Sequence, residues 1–589
     1  MRTPESVPGL IGPATSRAAS PTRGDTWRAR GRDLFRGERL AYALLVTVIA
    51  FIVLYPAYRL IWRSFHVGAT ATITFAPYHD LVTDARTRSA FGHTLVVGVV
   101  ATVVATVLGV ALAWLVVRTN LPAAAFFRLV FALPFYVPSF IGAIAWLQII
   151  GPVGYLNQAY KHLAGVGDPL VRPYGAGGVV FLLILHHYPL VYLPVVAALD
   201  RFQPVLEDAA RVAGASSRRV FRDVSLPLLA PAILAGTFLV FVTCIADFGI
   251  AAVMGIPGRY YVLTTRIYQV ALDYDTRNNL AFAAAMSLLL VVVAGGALFT
   301  QRRLLARRHY AITGAQGRAV DRLPLGRWRW PVTVLAAAFA VGVLVAPLVA
   351  VALSALTRVA GYAPTPGNLT LHNFHIAFVE TAATQRALRN SLVLAALSAT
   401  IIMILGAALA QFRLRGRVRG SGALEALATL PYAVPGTVLA LAFILAFARP
   451  IFGLHLYNTL WIILLAYLAR FLTFGISTAN AALAGVSETL PAAARVSGAS
   501  WWQAQRDAVF PLVRPALLGG WLFVFVPCLA ELTVSALLYS AGNETVGVAV
   551  FNLLESGIVA PAAALALVLM LVALGGSLAA QALTRRRGT

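Results

Sequence analysis

Twelve stretches of this chain are apolar for close to twenty residues or more, and that constrains its fold above everything else. They lie at roughly 41–61, 93–117, 129–150, 177–199, 228–253 and 279–300, then at 331–356, 390–411, 424–447, 457–480, 512–540 and 558–582. A bilayer core about 30 Å thick takes about 20 apolar residues per helix, whereas a membrane β-strand takes only about 9–11. Lipid offers no partner for backbone N–H and C=O groups, so runs of this length must satisfy them internally, as helices. The fold class that follows is an all-α polytopic membrane protein with about twelve transmembrane helices, six in each half. Composition agrees: 59% of the 589 residues are hydrophobic and 12% charged, against about 25% charged in soluble globular chains. An ordinary soluble enzyme is excluded.

The charge balance is 47 basic against 22 acidic side chains, or +25. Lys161 is the single lysine, and no glycine-rich lead-in precedes it, so the chain carries no phosphate-cradling P-loop of its own. The arginines sit beside the apolar spans instead of forming a basic face interleaved with aromatics, which argues against a nucleic-acid partner. A cytoplasmic N-terminus puts Arg28, Arg30, Arg32, Arg36 and Arg39, then Arg118 and Arg128, then Arg302, Arg303, Arg307 and Arg308 on the inner side. Arg413, Arg415, Arg417 and Arg419 and the terminal Arg585, Arg586 and Arg587 fall there too, as the positive-inside rule requires. Opposite loops mix Arg172, Arg259 and Arg277 with Asp80, Asp84, Asp168, Asp273, Asp275, Glu380, Glu544 and Glu555. Both termini are therefore expected in the cytoplasm. Residues 1–37, rich in Pro, Ser, Thr and Arg, read as a disordered basic tail. The expected domains are 38–300 and 330–584, joined by a basic cytoplasmic linker at 301–329. The two cysteines, Cys244 and Cys528, lie in apolar runs and form no disulfide framework.

The halves are copies. Residues 206–232 and 490–516 are identical at 14 of 27 positions at an offset of 284, including Arg211 with Arg495, Gly214 with Gly498, Asp223 with Asp507, Pro227 with Pro511 and Pro231 with Pro515. The same offset pairs Cys244 with Cys528 and Asp247 with Glu531. Upstream the offset is 297, matching Leu108-Gly109 with Leu405-Gly406 and the Leu133–Pro138 stretch with Leu430–Pro435. Six spans per copy give both halves the same orientation, related by a pseudo-two-fold along the membrane normal, with a pathway between them. The match is strongest in a polar cytoplasmic loop, where packing in lipid demands least, and repeated exposed loops carry function.

That loop reads Asp208-Ala209-Ala210-Arg211 followed by Gly214 in the first copy and Ala492-Ala493-Ala494-Arg495 followed by Gly498 in the second. Alanine favours a helix with a small-residue face, and the glycine permits the positive-φ turn that ends it. Such a helix suits a groove on a partner. With Leu226-Pro227 and Phe510-Pro511 downstream, the pattern resembles the EAA loop of permeases of ABC importers, over about 90–300 and 387–583. The resemblance implies a type I importer fold in the bacterial inner membrane and a solute delivered by a periplasmic binding protein. It implies that the loops at 206–232 and 490–516 couple to cytoplasmic ATP-binding subunits, two copies of them, so that the chain itself is a transport subunit and not an enzyme. Where the family has glutamate, this chain has Asp208 and Ala492, which implies asymmetric coupling.

Four side chains, Asp247, Glu531, His186 and Arg470, are candidates for the pathway. Asp247 and Glu531 fall at matched positions inside the fifth span of each half, where a charge costs about 2.5–3.5 kcal/mol on insertion scales. They either face the pathway or sit near the outer interface. His186 and His187 lie in the fourth span, and the repeat sets Arg470 opposite His186. Adjacent helical residues point about 100° apart, so one metal ion cannot easily take both histidines. His372 and His375, in an outer loop, lack carboxylate or cysteine companions by spacing, so neither a metal site nor a cofactor is expected. Pro134 and Pro138, with Pro431 and Pro435, are expected to kink the third span of each half.

The stretches Ile245–Ala251 and Glu531–Tyr539, with the fused architecture, resemble ferric-iron permeases most. Fused permeases for thiamine and for aminoethylphosphonate share much of the pattern. An ion-gradient-driven secondary transporter is the alternative from another class, since it too would show duplicated bundles with buried carboxylates.

Overall fold

The computed structural model describes residues 23–67, 72–201, 205–273, 279–306, 322–362, 364–414, 420–451, 453–487 and 489–585, with the backbone alone for 23–39, 501, 584 and 585. The first 22 residues, linker residues 307–321, Asp275, Arg277, and the basic residues Arg307, Arg308, Arg415, Arg417, Arg419, Arg586 and Arg587 lie outside them. Two units separate, Met1–Val48 and Ile49–Thr589. The described part of the first is the start of the helix Arg23–Phe65. That helix begins 15 residues inside the stretch whose composition reads as a disordered tail, because no proline or cap interrupts 23–55.

Eleven described helices are long and apolar enough to cross a membrane, and a bent pair brings the count to twelve. Among the described residues, β pairing is limited to four isolated bridges. The third spans are broken, not kinked. In the first half the apolar run divides into Ala124–Val130, a 3-10 turn at Leu133–Tyr136, and Ser139–Ile150. In the second, Ser421–Ala433 and Gly436–Phe447 meet at 108°. Proline disfavours helical geometry in the residue before it. Val137 and Val434, just ahead of Pro138 and Pro435, are accordingly extended, at φ −80°, ψ 130° and φ −83°, ψ 132°.

The fifth spans also end early, at Ala246 and Leu529, where the apolar pattern runs on to 253 and 540. Matched Leu-Gly pairs explain their own recurrence. A Cβ on Gly109 would lie 2.9 Å from Tyr188 O, and one on Gly406 would lie 2.6 Å from the carbonyl carbon of Gly475, so each glycine lets the second and fourth spans touch backbone to backbone.

The halves interlock reciprocally. From the first span of the first half, Phe51 and Tyr55 meet Phe447 at 6.0 and 5.8 Å between ring centroids, and the Tyr55 hydroxyl donates to Ala446 O at 3.2 Å. From the helical stretch 326–355, Phe339 packs on Phe131 and Tyr188 at 5.7 and 5.6 Å, and Ser354 meets Gln148 at 2.9 Å. Each half thus lends its first span to the other's broken third segment. One buried cluster runs through Val242, Ile245, Leu263 and Ile267 of the first half into Val438, Leu441 and Leu445 of the second.

Candidate functional site

The two repeated loops fold alike. Their helices are Val205–Val212 and Thr489–Val496. Each ends in a glycine at positive φ, +84° for Gly214 and +94° for Gly498, a region that L side chains rarely adopt. The next N–H reaches back past the glycine to close the turn, Ala215 to Ala210 O at 2.9 Å and Ala499 to Ala494 O at 3.0 Å. A π-turn follows in both, Phe221–Ser225 and Ala504–Val509, with Arg222 on Asp223 and Arg506 on Asp507, each at 2.8 Å. Val212 and Val496, matched in the repeat and 90% exposed, stand out in solvent at the tip of each helix. An isolated apolar side chain held open twice at one place suits a partner's groove.

Behind the surface the loops differ. Asp208 is exposed, and among the described residues it pairs along its own helix with Arg211 at 2.7 Å. The buried acid is its neighbour Glu207, 1% exposed, which pairs with Arg118 at the end of the second span. Glu207 also accepts from Arg211 at 3.2 Å and from the Ser225 hydroxyl at 2.5 Å. Arg118 lies 5.1 Å from the Trp114 ring and, through its carbonyl, receives Leu323 N at 2.7 Å, so the described end of the linker is tied to the same place. In the second copy Pro491 and Val509 occupy the positions of Glu207 and Ser225. The carboxylate Glu425 of that half instead links three membrane helices, Ser421–Ala433, Leu460–Ala484 and Ala382–Leu414, through Asn480 at 2.9 Å and Arg413 at 3.3 Å.

Asp247 and Glu531 are not inside helices. Each follows the helix end and caps the turn that restarts beyond it, supplying an acceptor for N–H groups that have no intrahelical partner. Asp247 takes Ile250 N at 2.7 Å. Glu531 takes Val534 N at 2.9 Å, Ser535 N at 3.1 Å and the Ser535 hydroxyl at 3.2 Å, so both its oxygens are engaged. Asp247 keeps Oδ2 turned to His187 Nε2, 4.0 Å away, and receives a hydrogen bond from Ser139. Arg470, from the second half, lies within electrostatic reach of this carboxylate without touching it among the described contacts. Its Nη1 is buried without a hydrogen-bond partner, and a Cβ on Gly436 would come within 2.5 Å of it.

The structure thus sets Arg470 within electrostatic reach of Asp247 and, at the Gly436–Thr533 contact, beside the turn that Glu531 caps. His186 lines a small cleft with Trp146, Leu185, Val343 and Pro347, while its neighbour His187 meets the carboxylate. Ser139 and Gly436 are matched in the repeat, as are Gly249 and Thr533: a Cβ on Gly249 would lie 3.0 Å from Ser139 Oγ and one on Gly436 would lie 2.6 Å from Thr533 Cγ2. One close contact has been built with opposite partners. Residues 372–380 depart from the spacing argument as well, because Glu380 supplies the carboxylate that His372 and His375 lack in sequence, its Oε1 2.8 Å from His375 Nδ1. At the other end of the helix Ala85–Arg118, Asp84 lies 3.3 Å from Arg266. Burial there raises the Asp84 carboxyl, but the Thr87 hydroxyl and N–H and Arg266 outweigh it and hold the group below the usual carboxylate range.

The family described as binding-protein-dependent transport system inner membrane component matches residues 105–359 and again 390–589. The chain belongs to that family. It is similar to the ferric transport system permease protein FbpB of Actinobacillus pleuropneumoniae, 25% identical over 89% of this chain and 75% of that one. The Fe(3+)-transport system permease protein FbpB 2 of Haemophilus influenzae is 24% identical over 90% of this chain and 95% of its own length. The sulfate transport system permease protein CysW of Synechocystis is 26% identical over 43% of this chain and 88% of its own. The permease is therefore a multi-pass inner-membrane subunit of an ABC importer that works with ATP-binding subunits and a periplasmic binding protein. The ion-gradient-driven alternative loses its ground.

Proposed function

We propose that this permease imports ferric iron, with 38–300 and 330–584 as its two transmembrane domains, 301–329 as the linker and both termini in the cytoplasm. The helices within 206–232 and 490–516 each dock on one of two ATP-binding subunits. The observation that carries the docking is the pair Val212 and Val496, equally exposed at the ends of helices closed by the same glycine turn. Asp208, Ala209, Ala210 and Arg211 with Gly214, and Ala492, Ala493, Ala494 and Arg495 with Gly498, form the two docking faces. ATP closes the two subunits, and closure draws the loops together. The helices starting at 226 and 510 carry that motion to Asp247 and Glu531 at their far ends. Binding protein and ATP must each favour one conformation over the other, or no coupling free energy passes between them.

Iron is favoured by the fused relatives named for ferric transport, which extend over most of both chains. In the pathway Asp247 is the responsive carboxylate, since one of its oxygens faces His187 while Glu531 is fully engaged by backbone. A second reading has a specific support: the buried, unpartnered Arg470 Nη1 suits an oxyanion, and sulfate permeases are among the relatives. Proteoliposomes holding the permease, its ATP-binding subunits and its binding protein decide between them. ATP-dependent uptake of 55Fe with none of 35S-sulfate supports iron. Sulfate uptake without iron uptake overturns it, and uptake of thiamine or aminoethylphosphonate alone overturns both.

A further inference from the structure

On the face opposite the repeated loops, three spans away in sequence, the connection between the helices ending at Ala355 and starting at Ala382 holds His372, His375 and Glu380. One ligand atom from each lies within 4.8 Å of the other two, and all three residues are exposed. We propose that these three side chains form a binding site for a divalent transition cation of the zinc, nickel or copper kind. The site is independent of what the permease transports.

The backbone builds this cluster in two steps. His372 and His375 occupy one helical turn, His372–His375, where residues three apart share a face. Their rings lie 6.1 Å apart and within 18° of parallel. The chain then widens into a π-turn, Ile376–Glu380, closed by Thr381 N on Ile376 O at 3.1 Å. In an α-helix residue i+5 sits about 140° around the axis from residue i. A turn whose hydrogen bonds run from i to i+5 brings it back to the same side, and Glu380 therefore closes on His375 at 2.8 Å. A cation takes the place of the proton between those two groups, and His372 completes the set by rotation of an exposed side chain.

The surrounding residues hold the turn rigid from beneath. Asn373, between the histidines, is buried and donates to Ala355 O at 3.0 Å and Thr357 O at 2.7 Å. Thr370 Oγ1 caps His372 N at 3.0 Å, and Gln385 Nε2 binds Val379 O at 2.6 Å beyond the π-turn. Supporting contacts of this sort keep ligands at metal-binding separation. Two imidazoles and one carboxylate are the donors of open three-ligand zinc sites, with the remaining position left to water. Imidazole selects zinc, copper and nickel over magnesium and calcium, which take oxygen ligands.

The test uses the full chain, purified with a tag that contains no histidine and titrated with Zn2+ against a chromophoric chelator. Wild type should take up one tightly held Zn2+ that excess Mg2+ does not displace. His372→Ala, His375→Ala and Glu380→Gln should each weaken binding by about tenfold to a hundredfold, the loss that even outer-shell partners cause. His79→Ala, at another exposed histidine, should leave it unchanged. Cu2+ added to wild type should give an electron paramagnetic resonance spectrum with two nitrogen ligands. The three variants replace exposed groups, so elution volume and metal-free thermal midpoint report that they remain folded. Wild-type affinity in all three variants, an equal loss in His79→Ala, or no Zn2+ uptake by wild type would overturn the site.

Discussion

The two repeated loops share a surface and differ in what lies behind it. Helix length, glycine turn, π-turn, arginine–aspartate pair and protruding valine recur at matched positions. The anchor does not recur: Glu207 under Arg118 in one copy corresponds to Pro491 in the other, which offers no carboxylate at that place. Duplication has preserved what faces outward and let the interior diverge. On the proposed docking, two surfaces that meet equivalent partners are held to one shape, whereas the contacts behind each loop are free to differ as long as they are satisfied.

Breaking the shared part should have the largest effect. Gly214→Pro or Gly498→Pro forces φ near −65° where the turn needs about +90° and should abolish uptake while membrane insertion, followed by fractionation, stays normal. Normal uptake in both variants would remove the coupling role. Breaking the unshared part should separate the halves. Glu207→Ala removes the carboxylate that the buried Arg118 guanidinium faces, and breaking a buried ion pair costs about 3–5 kcal/mol, whereas Pro491→Ala should stay within about 1 kcal/mol. Thermal unfolding of the purified protein measures both, and equal losses would mean that the first loop has no special anchor. The smallest effect belongs to Asp208→Ala. The exposed pair with Arg211 contributes about 0–1 kcal/mol, so stability should barely move, and uptake at saturating binding protein should fall by less than about fivefold. A large loss would mean that Asp208 itself contacts the ATP-binding subunit.

The legible parts of this molecule are those whose physics is local. Apolar length announces spans wherever it occurs, and a glycine after Ala209-Ala210-Arg211 announces a helix end without reference to the rest of the chain. Glu207 is not legible because the family spacing selects Asp208, and the burial that distinguishes them comes from Arg118, 89 residues away. Asp247 and Glu531 looked interior because the residues after them stay apolar, and a helix that stops inside an apolar run leaves no change of polarity to read. Pro138 and Pro435 marked the third spans, but the difference between a kink and a 108° turn depends on what packs against the break. His372 and His375 lost their carboxylate to an assumption of α-helical period, since only the π-turn brings Glu380 around.

On the proposed coupling, both loops present one surface to equivalent partners. The two native cysteines are buried, so a background with Cys244→Ser and Cys528→Ser leaves room for single cysteines placed by Val212→Cys and Val496→Cys. Each is crosslinked to the ATP-binding subunit in the assembled complex, then both together. An adduct should form from either position, and a species carrying two subunits when both are present. An adduct from one position alone, or from neither, would contradict that coupling.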